Sequence, residues 1–239
     1  MKTRFWRAKL LSVSVIDSIS PNVQDYAKAV YALEARGGEA VSTNELAERL
    51  GVTPGSVSAM VRKLDEQGLV VHEPYKGVRL TARGRRVALE VIRHHRLIEL
   101  FLAQELGMAW DRVHAEAEVL EHVISEDLER LISERLGDPR LDPHGDPIPT
   151  EGFEIEERLT HSLEELEPGS AGRLVRVSDS DPAMLRYLAG EGVALGDRLE
   201  VRARQPFGGP LFVRVNGLEL ALGGELARAM RIELEEQQA

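Results

Sequence analysis

Between residues 22 and 66 the apolar positions recur at helical spacing in three successive runs. Val23, Tyr26, Ala27, Val30, Tyr31 and Leu33 form the first, which Asn22 is placed to cap and which ends at Gly37-Gly38. Leu46, Ala47 and Leu50 form the second. Ser42 is placed to cap it, Glu45 three residues on completes a capping box, and Gly51 stops it. Val57, Met60, Val61 and Leu64 form the third, opened by Thr53, with Pro54 in the first turn where proline is tolerated. Two short strand-like runs around residues 74–77 then predict a wing. Helices in this order followed by a hairpin predict a winged helix-turn-helix.

Beyond residue 80 the periods lengthen. A long helix is predicted over about 81–106, broken by Gly107, and another from near Asp111, which can cap it. From residue 168 onward, short alternating runs are separated by Gly-rich turns, with one helix at about 182–189, which predicts a small SH3-like β-barrel. The fold class is therefore mainly α with small β parts. The expected division is a basic arm (1–21), a winged helix-turn-helix (22–92), a helical domain (93–150), a linker (151–167) and the barrel (168–239).

Composition changes this picture in two places. The 239 residues include no cysteine, which removes disulfides, thiolate nucleophiles, iron–sulfur clusters and cysteine-based zinc sites. No run approaches the roughly 18 apolar residues needed to span a bilayer. A formal charge of −10 argues at first against nucleic acid, whose phosphates attract Lys and Arg. The charge is divided, however. Residues 1–100 carry 16 basic and 11 acidic side chains, and the remainder carries 14 and 29. The first part can face an anion while the rest attracts cations. The arm contributes Lys2, Arg4, Arg7 and Lys9.

The third helix has the chemistry of a DNA-reading element. Gly55, Ser56, Ser58, Ala59, Arg62 and Lys63 face outward, Thr53 opens the helix, and Lys76 and Arg79 lie on the wing. Small and hydroxyl residues at the start of a basic helix let the backbone approach phosphates, base edges and thymine methyls.

The middle of the chain carries a second constellation. His95 and Glu99 stand four apart, and His114, Glu118 and His122 repeat at the same step, with Glu121 on the adjoining edge. Helical pairs of imidazole and carboxylate at that spacing share a face and grip divalent ions from rigid elements. His94 is read as a surface residue pointing off that face, and His72, His144 and His161 as structural or solvated.

The segments TPGSVSAMVRKLDEQGLV, HHRLIELFL with RVHAEAEVLEHVISEDLERL, and PHGDPIP at residues 143–149 resemble the diphtheria toxin repressor / manganese transport regulator family, from about Asn22 onward. The resemblance implies a cytoplasmic homodimer that binds double-stranded palindromic operators and represses metal-uptake genes when a divalent effector is replete. It implies an ancillary metal set, His95, Glu99 and His114, and a primary set, Asp25, Glu118, Glu121 and His122. Glu118 falls where iron-type members have cysteine, and Asp25 where they have methionine. Both departures are manganese-type, and hard oxygen ligands suit Mn²⁺. Fe²⁺ remains an alternative effector, and Zn²⁺, Co²⁺ or Cd²⁺ are expected to bind in vitro. A second acidic ligand that some manganese-type members carry falls at Lys28, which favours the His95–Glu99–His114 arrangement. Asp179 or Asp181, before the barrel helix, is a further candidate ligand. An ion joining Asp25 to the other primary residues would tie two domains and fix the recognition helices roughly 34–36 Å apart, or a multiple of that. Phe101, Leu102, Trp110, Val119, Val123 and Leu131 are candidates for either the dimer seam or the internal core. A binuclear hydrolase is a remote alternative, since no nucleophile or phosphate-cradling loop accompanies the ligands.

Overall fold

The structure, a computed structural model, describes residues 16–37, 40–73 and 76–235. Most of the basic arm, with Lys2, Arg4, Arg7 and Lys9, lies outside the described residues. The chain divides into two compact units, residues 1–92 and 93–239.

In the first unit, α1 (Pro21–Gly37), α2 (Thr43–Leu50) and α3 (Pro54–Glu66) precede the antiparallel hairpin of β1 (Val70–Glu73) and β2 (Gly77–Leu80). Asn22 does not cap α1. The helix begins one residue earlier, on Pro21, whose fixed φ suits a first helical position and whose missing N–H is no loss there. The caps of the next two helices are those expected. Ser42 and Glu45 close a reciprocal capping box, and Gly51 ends α2 at φ +64°. Thr53 accepts the amide of Ser56. Leu46, Val57, Val61 and Leu64 are fully buried in one core with Val23, Ala27 and Val30. Glu34 of α1 accepts the Leu80 amide at 2.8 Å and so ties the wing to the first helix.

The second unit contains most of the residues expected to meet an ion. The helix α4 (Ala82–Gln104) contributes its last turns, from Arg93 on, and α5 (Trp110–Leu120) and α6 (Glu126–Leu136) follow. Asp111 is not the cap of α5. The N-cap position is Ala109, without a side-chain bond, and Asp111 instead sits in the first turn and pairs with Arg186 at 3.2 Å. The helix also stops at Leu120, so His122 follows it in a turn rather than repeating on its face.

The remainder is a six-stranded antiparallel sheet ordered β3-β8-β4-β5-β6-β7, built from β3 (His161–Ser162), β4 (Ala171–Val177), β5 (Arg198–Arg204), β6 (Leu211–Val215), β7 (Leu218–Leu222) and β8 (Met230–Leu234). Helices α7 (Pro182–Gly190) and α8 (Gly224–Ala229) close it. Its first strand falls inside the stretch expected to be linker, because His161 and Ser162 pair with Ile232 and Arg231. Leu174, Val177, Leu188, Val213 and Met230 are fully buried in its core, against which Trp110 of α5 packs. Trp110 thus packs on the barrel core, and Leu102 is buried in a helical core. Val119, Val123 and Leu131 are 68%, 74% and 52% exposed, so they are free to form the seam.

Candidate metal centre

Four side chains of the second unit converge on one point. His95 and Glu99 come from successive turns of α4, His114 from α5, and Asp179 from the segment after β4. Each offers one ligand atom, and those atoms lie within 4.8 Å of one another. His95 Nε2 is 3.0 Å from Glu99 Oε1 and 3.1 Å from His114 Nδ1. His114 Nδ1 is 2.8 Å from Asp179 Oδ2. Glu99 is wholly buried and His95 nearly so. Asp181 does not join them. It caps α7 by accepting the amide of Ala183 at 2.8 Å, because its position before Pro182 is the N-cap of that helix.

The other ring nitrogen of His95 faces a second group. Nδ1 bonds the buried carboxylate of Glu121 and lies 3.7 Å from Glu118. These three also have ligand atoms within 4.8 Å. His122 is half-buried, with Nε2 3.5 Å from Glu121. Asp25 stands half-buried on α1 of the first unit.

Two histidines occupy places that the sequence did not indicate. His94 is buried, contrary to its reading as a surface residue. Its Nδ1 lies 3.3 Å from the backbone carbonyl of Glu121 and its Nε2 3.6 Å from Glu129. The helix places it under the turn that follows α5, which spacing along α4 alone does not reveal. His144, within the PHGDPIP segment, is fully buried with Asp142 beside it, and both have ligand atoms within 4.8 Å of Glu99. His144 Nε2 donates to the carbonyl of Trp110 at 2.8 Å, which leaves Nδ1 facing Glu99 Oε2 at 3.6 Å.

Charge in this cluster is balanced by protons. Burial opposes a charge on His95, but the carboxylates of Glu121 and Glu99 outweigh it and push the imidazole up to about 9. Asp179 and Glu99 push His114 up to about 10. Burial also opposes charge on His144, yet Glu99 raises it to about 9. Burial works against ionised Glu99 too, but His114, His144 and His95 hold it well below the usual carboxylate range. Asp142 goes the other way. Burial, then repulsion from Asp146 and Glu99, pushes it up to about 8. The carboxylates thus favour positive charge at this point, which a bound cation would also supply.

The donor set fits a divalent ion. All its atoms are nitrogen or oxygen, and Glu99 Oε2 and His144 Nδ1, both buried, face each other at 3.6 Å, beyond hydrogen-bond length, with no other hydrogen bond. Buried polar atoms without a partner are costly, and an ion would satisfy them.

The surface expected to read DNA is equally well defined. Thr53, Gly55, Ser56, Ser58, Ala59, Arg62, Lys63, Lys76 and Arg79 are all exposed. Thr53 and Ser56 hydroxyls bond each other at 2.9 Å, Ser58 bonds the Pro54 carbonyl, and Lys76 pairs with Glu73.

Three family models account for most of the chain. The iron-dependent repressor N-terminal DNA-binding domain matches residues 18–78. The iron-dependent repressor metal-binding and dimerisation domain matches 81–150, and the FeoA domain matches 161–234. The iron-dependent repressor IdeR of Mycobacterium tuberculosis is 32% identical, over 87% of this chain and 95% of its own length. The diphtheria toxin repressor of Corynebacterium diphtheriae is 29% identical over the same shares. Among solved structures, a manganese-dependent transcriptional repressor in complex with manganese is 44% identical with a TM-score of 0.84, over 89% of this chain and all of that one. The repressor ScaR with bound Zn²⁺ is 32% identical with a TM-score of 0.77, over 89% and 99%. No helix among the described residues is long and apolar enough to cross a membrane. A DNA-reading helix, a helical ion centre and a FeoA barrel in this order place the chain in the iron-dependent repressor family of metal-dependent, DNA-binding transcriptional regulators.

Proposed function

We propose that this protein is a manganese-responsive repressor of metal-uptake genes, acting in the cytoplasm as a homodimer on palindromic operators. The observation that carries the reading is the donor set of the buried cluster: imidazole and carboxylate throughout, with Glu118 where a thiolate would favour softer ions. The similarity to a manganese-dependent repressor supports the same choice.

His95, Glu99 and His114 would hold the ancillary ion, with Asp179 as a fourth ligand. Asp25, Glu118, Glu121 and His122 would hold the primary one. When bound, Mn²⁺ would supply positive charge to these carboxylates, so that His95 and His114 would serve as neutral nitrogen ligands. Each residue then has a separate task. His95 supplies nitrogen to one set and, through its other nitrogen, orients Glu121 of the other. His94 fixes the backbone at Glu121. Val119, Val123 and Leu131 supply the apolar seam of the dimer. Gly55, Ser56, Ser58 and Ala59 bring the recognition helix close to base edges while Thr53, Arg62, Lys63, Lys76 and Arg79 contact the backbone. For metal to control repression, it must favour the DNA-competent arrangement, and DNA must tighten metal binding by the same factor.

The test is operator affinity, read by fluorescence anisotropy, across buffered Mn²⁺, Fe²⁺ and Zn²⁺. Zn²⁺ and Fe²⁺ are expected to bind at lower free concentration than Mn²⁺, as their intrinsic affinity for nitrogen and oxygen ligands dictates, while Mn²⁺ gives the highest operator affinity at saturation. A second reading, an Fe²⁺ regulator on the same scaffold, is favoured by the iron-dependent relatives. Preferential activation by Fe²⁺ in that titration would establish it instead.

A further inference from the structure

The loop after α6 is buried to an extent unusual for a connection. Residues 144–149 are all buried, and Asp142 with them. Its backbone is satisfied from α4: Arg96 donates to the Pro147 carbonyl and Arg93 to that of Pro149 at 2.6 Å. Asp142 accepts the amides of His144 and Asp146 at 2.8 and 2.9 Å, which closes the loop on itself.

The outer side of this loop meets the barrel at β4. The Val177 amide donates to the His144 carbonyl at 2.9 Å. Gly145 has φ +87°, and a Cβ there would stand 2.0 Å from the Val175 carbonyl oxygen, so only glycine permits the approach. Asp146 Oδ1 lies between two guanidinium groups, 3.0 Å from Arg96 on α4 and 2.8 Å from Arg176 on β4. Two residues beyond Val177 comes Asp179, whose carboxylate reaches His114 at 2.8 Å. On its other side the barrel is held by Trp110 and the Asp111–Arg186 pair, neither of which fixes the end of β4.

The geometry points to Gly145, Asp146 and Arg176 as positioning residues that lock the end of β4 onto the loop and thereby hold Asp179 in the ancillary site before any ion arrives. The inference rests on the ancillary-site reading proposed above. It makes the barrel a permanent part of that site, with the cost of ordering Asp179 met by folding and not by metal binding.

The experiment uses the full chain with Mn²⁺ as the only probe. Arg176→Gln removes the charge from a partly exposed barrel side chain without touching α4 or any proposed ligand. In metal-free protein, hydrogen exchange at the Val177 amide is expected to accelerate about tenfold, and the second Mn²⁺ to bind about tenfold more weakly, with the first unchanged. Arg176→Lys should restore most of both. Gly145→Ala, which places a methyl group against the Val175 carbonyl, should show the same pattern more strongly, with circular dichroism confirming that both variants fold. Unchanged exchange in Arg176→Gln would overturn the docking role. Faster exchange with undiminished affinity for the second ion would overturn the positioning role. His114→Ala separates the underlying reading: if it still takes up two ions as tightly as the parent, the ancillary site itself is wrong, whatever the exchange at Val177.

Discussion

The recognition helix and the ion cluster are both polar, yet they are built in opposite ways. On α3 every residue expected to meet DNA is exposed, and the bonds present are short-range, Thr53 to Ser56 and Ser58 to Pro54. Around His95 the polar atoms are buried and brought together across long sequence separations, with Glu121, with His114 and through Glu99 toward His144. A surface that binds a large polyanion keeps its donors hydrated and free until contact. A centre that grips a single ion has its ligands gathered and desolvated beforehand, with protons holding the repelling carboxylates together. The first arrangement costs little to the free protein and is tuned by salt. The second makes stability and affinity depend on pH.

Four experiments test that contrast, in decreasing order of expected effect. Glu121→Ala removes a fully buried carboxylate from the cluster. It is expected to weaken metal-activated operator binding by at least ~100-fold while sedimentation still shows a dimer. Asp25→Ala should do likewise, and retained activation in both would refute the primary set. Arg62→Ala or Lys63→Ala should weaken operator binding about tenfold with metal stoichiometry unchanged, and should flatten its salt dependence. A change in ion affinity instead would mean the two regions are not separately built.

The third experiment is a pH series on the metal-free protein. His95, His114 and His144 have pKa values raised to about 9, 10 and 9 in the folded chain, against the ordinary histidine value of 6.5. Folding therefore gains from their protonation fully below about 6.5 and loses that gain as pH rises through 9 to 10. Asp142, raised to about 8, acts in the same direction: ionising it costs stability progressively between the ordinary aspartate value of 3.8 and about 8. Melting temperature in EDTA should fall from pH 6.5 to 10, and saturating Mn²⁺ should flatten the decline. Metal binding should also release protons, measurable by calorimetry in buffers of different ionisation enthalpy. A flat profile in EDTA would contradict the proton-balanced cluster. The smallest effect is expected for Asp181→Ala, which should cost about 1 kcal/mol of stability through the lost α7 cap and leave ion binding intact. Asp179→Asn, by contrast, should weaken the second ion.

The same division decides what could be read from sequence. The caps of α2 and α3 and the outward face of α3 follow from neighbours within four residues, so Ser42, Glu45, Thr53 and Val57 were legible directly. The His95–Glu99 pair was legible too, because both lie on one helix. His94 was not, since its burial depends on the turn after α5 crossing above it. Neither were His144 and Asp142, which reach Glu99 through a loop that only tertiary packing buries. Asp179 and Asp181 were indistinguishable by type, and the start of α7 separates them by claiming one as its cap. Spacing misled at His122, because α5 ends before that residue.

The all-nitrogen-and-oxygen composition of the cluster has one more consequence, for oxidative chemistry. A sensor that binds its ion through cysteine can be silenced by peroxide, which converts thiolate to sulfenic acid and beyond. This chain has no cysteine at all, and its gathered imidazoles and carboxylates offer peroxide no sulfur to attack. The thiol route of inactivation is therefore closed to the proposed ligands, and any sensitivity to peroxide has to pass through the bound ion and its imidazoles.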